Sequence, residues 1–173
     1  MMTTEAPVTV ESQAPDSRNA PAGKYLFLEL GTREFGIEIL RIHEISGTHT
    51  VRRHPDLPGG AVGVMTARGR QLPVMDLRGR LGVTPVRDDD EQYVVVVEID
   101  HRGERALAGL LTDRVTEVRQ LEYHRISPAA PNDDRVLAGW AETPAGRAAL
   151  LDTDRLLSSA GLDRLLEAVA AVR

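Results

Sequence analysis

Residues 93–99 read Tyr-Val-Val-Val-Val-Glu-Ile, and the four consecutive valines leave the backbone little choice. β-Branched side chains are stiff at χ1 and favour a pleated, extended chain. A strand that faces water on one side alternates apolar and polar residues; Val94 to Val97 do not. Both faces of this strand are therefore expected to be buried.

Other segments repeat the theme in weaker form. Tyr25 to Leu30 is apolar at nearly every residue, and Phe35, Ile37 and Ile39 alternate with polar neighbours, so the two read as a hairpin turning at 31–34. Leu40 to Ile45 is ambiguous between a helical turn and an irregular strand. Residues 54–60 are a loop by composition. A second hairpin covers 61–76: Val62, Val64 and Thr66 alternate, Arg68-Gly69-Arg70 turns, and Gln71 to Asp76 returns. Pro73 lacks an N–H, so its strand is expected at a sheet edge or at a bulge. Leu77 and Leu81 lie four apart in a short helical turn that Gly82 ends. Residues 93–99 and 105–111 form a third hairpin. Val115 and Val118 lie on a further strand, and 136–142 with 147–151 make another hairpin turning at 143–146. Leu156, Leu157, Leu162, Leu165, Leu166 and Val169 space a helical stripe that Gly161 interrupts, which gives a C-terminal helix over 158–173. The polar stretch 1–23 reads as a disordered tail. The acidic run Asp88-Asp89-Asp90-Glu91 marks a subdomain boundary near 84–92. No strict repeat is evident. The expectation is a mainly β chain, two small barrels or curled sheets with a helix closing the end.

Composition removes several functions. The 173 residues carry a net charge of −5, the wrong sign for holding a phosphate backbone, so no nucleic acid is expected as a partner. Aromatic residues are only 3%, too few for stacking platforms. With no cysteine there are no disulfides, thiolate nucleophiles or thiolate-bound metals. No apolar run approaches the roughly 20 residues that span a bilayer, and no secretory pattern opens the chain. A soluble cytoplasmic protein without direct membrane insertion is expected.

Chemistry-bearing clusters are few. His43, His49 and His54 are spread over a predicted loop without a carboxylate partner, so solvent-facing histidines are favoured over a metal site. Asp152-Thr153-Asp154 has the spacing of a phosphotransferase nucleophile loop, but too little chain follows to complete that scaffold. A helix N-cap is the better reading, with a small phosphatase using Asp152 and Asp154 as the outlying alternative. The Asp88–Glu91 run lacks the glycine of a calcium loop. No phosphate-binding loop or nucleophile elbow is present. Six arginines (Arg52, Arg53, Arg68, Arg70, Arg78 and Arg80) crowd one region and suit solvent-facing positions or an acidic partner. No cofactor, metal or catalytic set is expected; a protein-binding module is.

Four runs in order carry a family resemblance: Phe35 to Gly47 (Phe-Gly-Ile-Glu-Ile-Leu-Arg-Ile-His-Glu-Ile-Ser-Gly); Gly63 to Gly69 continuing through Leu72-Pro73-Val74-Met75-Asp76-Leu77-Arg78 to Gly82; Gly109 to Val118; and Ala149 to Leu157. Together they cover most of 24–157, which resembles the CheW family of chemotaxis coupling proteins. The resemblance implies two five-stranded SH3-like β-barrels and no catalytic activity. It implies as partners the cytoplasmic tip of methyl-accepting chemoreceptors, the regulatory domain of the histidine kinase CheA and other CheW copies. It also leaves open a non-flagellar chemosensory pathway controlling motility or gene expression. Family receptor contacts fall on Ile39, Ile42, Glu44, Arg68, Gly109 and Val118. Ile39, Ile42 and Val118 would line an apolar groove between the barrels, Arg68 would pair with Glu44, and Gly109 would admit a partner's backbone. Thr66-Ala67 departs from the family's usual Asn-Leu before the arginine.

Overall fold

The computed structural model describes residues 20–58, 60–84, 92–130, 136–157 and 161–171. The acidic run 88–91 and most of the 1–23 segment lie outside them. Order begins earlier than Lys24. Ala20 is buried, its N–H donates to the Ala138 carbonyl at 3.0 Å, and the Pro21 carbonyl accepts the Tyr25 hydroxyl at 2.6 Å.

The described chain forms twelve strands: β1 (Gly23–Leu30), β2 (Arg33–Glu38), β3 (Ile42–Gly47), β4 (Arg52–Arg53), β5 (Ala61–Ala67), β6 (Arg70–Met75), β7 (Tyr93–His101), β8 (Glu104–Thr112), β9 (Arg114–Leu121), β10 (Ile126–Pro128), β11 (Leu137–Thr143) and β12 (Gly146–Leu151). Two helices follow, α1 (Thr153–Leu157) and α2 (Gly161–Ala171), the second beginning at the glycine that interrupts the apolar stripe. The ambiguous 40–45 segment resolves into a 3-10 turn at Ile39–Arg41 that runs directly into β3. The Leu77–Gly82 stretch is a single helical turn. Leu81 N–H donates to Leu77 C=O, Gly82 takes φ +66°, and Val83 N–H closes onto Arg78 C=O at 2.8 Å, the Schellman arrangement.

The strands make two six-stranded curled sheets, ordered β10-β11-β12-β2-β1-β9 and β3-β7-β8-β6-β5-β4. Three apolar layers result. Tyr25, Phe27, Ala141, Ala148 and Leu150 fill the curl of the first sheet, and Met65, Leu72, Val74, Val94 and Val96 fill that of the second. Leu26, Leu28, Phe35 and Ile37 meet Val95, Val97, Ile99 and Leu110 between the sheets, with Leu165 and Val169 of α2 joining them. The valine run is explained: Val94 and Val96 point into a curl, Val95 and Val97 into the layer between.

The expected boundary at 84–92 does not separate the sheets. β6 before it and β8 after it are neighbours in one sheet, paired in parallel through Val74 with Gly109 and Met75 with Leu110. Instead, 84–92 divides two equivalent halves that exchange hairpins. The β1–β2 hairpin completes the sheet built from β9 to β12, and the β7–β8 hairpin completes the sheet built from β3 to β6. The two orders match strand for strand, including the parallel contacts β12 with β2 and β6 with β8. Each sheet has one strand more than the five expected, because the short segments β4 and β10 pair with β5 and β11.

Pro73 is not at an edge, since β6 lies between β8 and β5. Its missing N–H is tolerated because the parallel ladder to β8 begins only at Val74. The register shift in this region falls on β5, between Ala61 and Gly63.

Candidate protein-binding surface

β3 and β9 close equivalent edges of the two sheets. Each carries one bulged residue, and the bulges match. In β3, Ile42 faces Val97, His43 is extra, and Glu44 and Ile45 face Val96 and Val95. In β9, Val115 faces Leu28, Thr116 is extra, and Glu117 and Val118 face Phe27 and Leu26. Ile-x-Glu-Ile in one half therefore corresponds to Val-x-Glu-Val in the other. A bulge twists an edge strand and re-aims its side chains. Cross-strand partners share a face. Ile42, Ile45, Val115 and Val118 thus all stand on the face that covers the layer between the sheets.

These residues are incompletely covered. Ile39, Ile42 and Val115 pack against the central layer but are only half-buried. Ile45 is 44% exposed, Val118 49% and Leu40, in the adjoining turn, 83%. Apolar groups left open along strand edges are a recognition signal. Val118, Leu26 and Ile37 form one rung across β9, β1 and β2. At the usual strand spacing this places Val118 about 10 Å from Ile37, two residues before Ile39.

The remaining expected contacts do not join this set. Arg68 lies at the tip of the β5–β6 hairpin, exposed, with φ +50° beside Gly69 at φ +75°. Ala67 pairs Arg70 and Thr66 pairs Gln71, so this is a two-residue type I′ turn, and the Thr66-Ala67 departure leaves it regular. No ion pair joins Arg68 to the half-buried Glu44. Gly109 is buried. A Cβ there would stand 2.7 Å from Val94 Cγ1 and 3.2 Å from Val74 Cγ2, so the glycine serves the curl's own packing, not a partner's approach. Its counterpart in the other half, Gly36, is held the same way against Leu150.

The polar clusters resolve into braces. His43 is not solvent-facing: its Nε2 lies 2.8 Å from Glu98 Oε2, and Arg105 Nη1 reaches Glu98 Oε1 at 3.0 Å. The hydrogen bond from His43 holds the Glu98 carboxyl below its ordinary value, assisted by the Arg105 charge against a desolvation penalty. Asp152 Oδ1 accepts the Arg155 N–H at 3.1 Å, the N-cap expected of it. Asp154 instead receives both guanidinium nitrogens of Arg41, at 3.2 and 3.0 Å. Among the described residues no group of histidine and carboxylate side chains could hold a metal ion, and no helix is long and apolar enough to cross a membrane.

Sequence reasoning missed Ile45, Val115 and Arg41. The signal for the first two was the half-repeat. Gly36 with Gly109 and Ile42 with Val115 share one offset, and Gly63 with Gly139 and Asp76 with Asp152 share another.

A duplicated double-sheet β protein, with open apolar groups on two matched edges and with Glu98, Asp152 and Asp154 engaged in caps and braces, belongs to the class of binding scaffolds. Comparison with known proteins agrees. Residues 24–161 match the CheW-like domain. The chain is 33% identical over 141 residues to the chemotaxis protein CheW of Klebsiella aerogenes, covering 79% of this chain and 82% of that one. It is 29% identical over 117 residues to a probable chemotaxis protein CheW of Rhizobium etli, covering 68% and 73%. Its fold superposes on the crystal structure of the scaffolding protein TtCheW from Thermoanaerobacter tengcongensis with a TM-score of 0.69 at 26% identity, covering 82% of this chain and 96% of that one. The chain belongs to the CheW family and is an adaptor of chemosensory signalling.

Proposed function

We propose that the chain acts in the cytoplasm without catalysis, joining the cytoplasmic tip of methyl-accepting chemoreceptors to the regulatory domain of a CheA-type histidine kinase. The observation that carries this is the pair of matched apolar edges, β3 with Ile42 and Ile45 and β9 with Val115 and Val118, beside the exposed Leu40 turn. An amphipathic helix binds such a surface by apolar contact and shape, with charged neighbours setting register. Ile39, Ile42 and Val118 supply apolar contact to a receptor helical hairpin; Glu44 and Arg68 supply polar contact from separate places. Other copies of the chain are further partners within the same assemblies.

A phosphatase reading finds no support in the geometry. Asp152 is occupied as a cap and Asp154 in a two-point ion pair. Direct titration with a receptor-tip hairpin tests the proposal: micromolar binding is expected, lost on Ile42→Asp. Absence of binding by the folded wild-type chain contradicts it.

A further inference from the structure

The 3-10 turn that carries Ile39 and Leu40 has no side-chain cap and no buried residue of its own. A three-residue turn with so little packing needs an external restraint to hold one conformation. Arg41 and His43, the residues on either side of Ile42, supply two. His43 is tied to Glu98 on β7. Arg41 makes a fork onto Asp154, in the first turn of α1 and 113 residues away in sequence. Asp154 Oδ1 also accepts the Asp100 N–H at 2.9 Å, so one carboxylate joins α1, β7 and the turn. The fork is planar and fixes orientation as well as distance, which a lysine in its place does not.

The equivalent crossover in the other half is braced with the charges reversed. There Asp113, linking β8 to β9, accepts the Gly31 N–H at 2.7 Å and faces Arg78 Nη1 at 3.8 Å. In both halves a residue at the crossover between sheets is tied to the turn or helix that follows the half's last strand. The acid of each pair also receives an N–H from the neighbouring hairpin. The second pair is the looser one, since the Arg78 guanidinium hydrogen-bonds Asp76, and the two-point fork of Arg41 on Asp154 is the tighter constraint on where an edge strand leaves the core.

We propose that Arg41 and Asp154 are positioning residues for receptor binding, holding the Ile39–Ile42 corner in its binding conformation through α1. This rests on the reading of that corner as a receptor contact. About a third of each side chain is exposed to solvent, 37% for Arg41 and 33% for Asp154, so the effect is modest in stability and visible chiefly in the corner's order.

The test is a double-mutant cycle on the full chain with Arg41→Ala, Asp154→Asn and both, read two ways. Amide hydrogen exchange reports the order of Ile42 and Glu44; titration with a receptor-tip hairpin fragment reports binding. Each single variant is expected to exchange faster at those amides and to bind about threefold or more weakly, with the double variant no worse than either single. Arg41→Lys should behave like the alanine variant. Arg125→Ala, which removes an exposed cation from the turn before β10, outside both braces, serves as control and should change neither readout. Single variants that bind within about twofold of wild type overturn the proposal, as do additive losses in the double variant. Wild-type protein that does not bind the hairpin overturns the surface reading itself, an outcome the exchange data keep distinct, since they are measured without a partner.

Discussion

Val94 Cγ1 lies 2.7 Å from the point where a Cβ on Gly109 would sit, and the crowding comes from a buried strand on each side. Gly109→Ala is therefore expected to destabilise the fold by about 1–3 kcal/mol through overpacking. Urea unfolding monitored by circular dichroism checks this. Affinity of the folded fraction for a receptor hairpin should be unchanged, because the residue is interior.

Arg68 holds φ +50°, a conformation that costs a non-glycine residue about 1 kcal/mol. Arg68→Gly should raise stability by up to about 1 kcal/mol, partly offset by the greater freedom of the unfolded chain. If the arginine is there for a partner, the same variant binds more weakly. A variant both more stable and equally competent in binding would remove Arg68 from the surface.

Ile45 and Val118 occupy equivalent positions on β3 and β9, each about half exposed. Ile45→Asp and Val118→Asp should cost little stability, about 1 kcal/mol or less, since these side chains are only partly buried. Each should weaken receptor-hairpin binding by about tenfold, as losses of apolar anchors do. Unchanged binding in both would move the contact away from the strand edges.

Burial raises the Asp76 carboxyl, but hydrogen bonds and charge from Arg78 outweigh it and hold it below its ordinary value of 3.8. The Glu98 carboxyl is held below 4.5 by the His43 hydrogen bond and the Arg105 charge, against desolvation. Groups with depressed folded values contribute stability that is complete above their unfolded values and lost as pH falls through the folded ones. Thermal midpoints should be flat with respect to these groups above about pH 5 and fall below about pH 4. Asp76→Asn should flatten part of that acid limb.

Much of the strand pattern was legible because alternation and turn residues act locally. The hairpins at 25–39, 61–76 and 93–111 stand where Phe35, Ile37, Gly69 and the valines placed them. Strand partnership was not legible, because it is decided by contacts between distant segments. The β6–β8 ladder rests on two residue pairs across the 84–92 connector, and nothing near Val74 announces Gly109. Pro73 was misplaced for the same reason, since an edge is a property of the whole sheet. Of the expected receptor contacts, Ile39, Ile42 and Val118 flank the central layer together, whereas Arg68 and Gly109 lie elsewhere. The Arg41–Asp154 brace had no local signature, because an ion pair over so long a separation leaves no periodicity.

Co-sedimentation of the wild-type chain with membranes bearing a chemoreceptor and with the kinase's regulatory domain tests the adaptor role most directly. The kinase domain should pellet only when the chain is present, and Ile42→Asp should leave both proteins in the supernatant. Recovery of the kinase domain with receptor membranes to the same extent without the chain would contradict it.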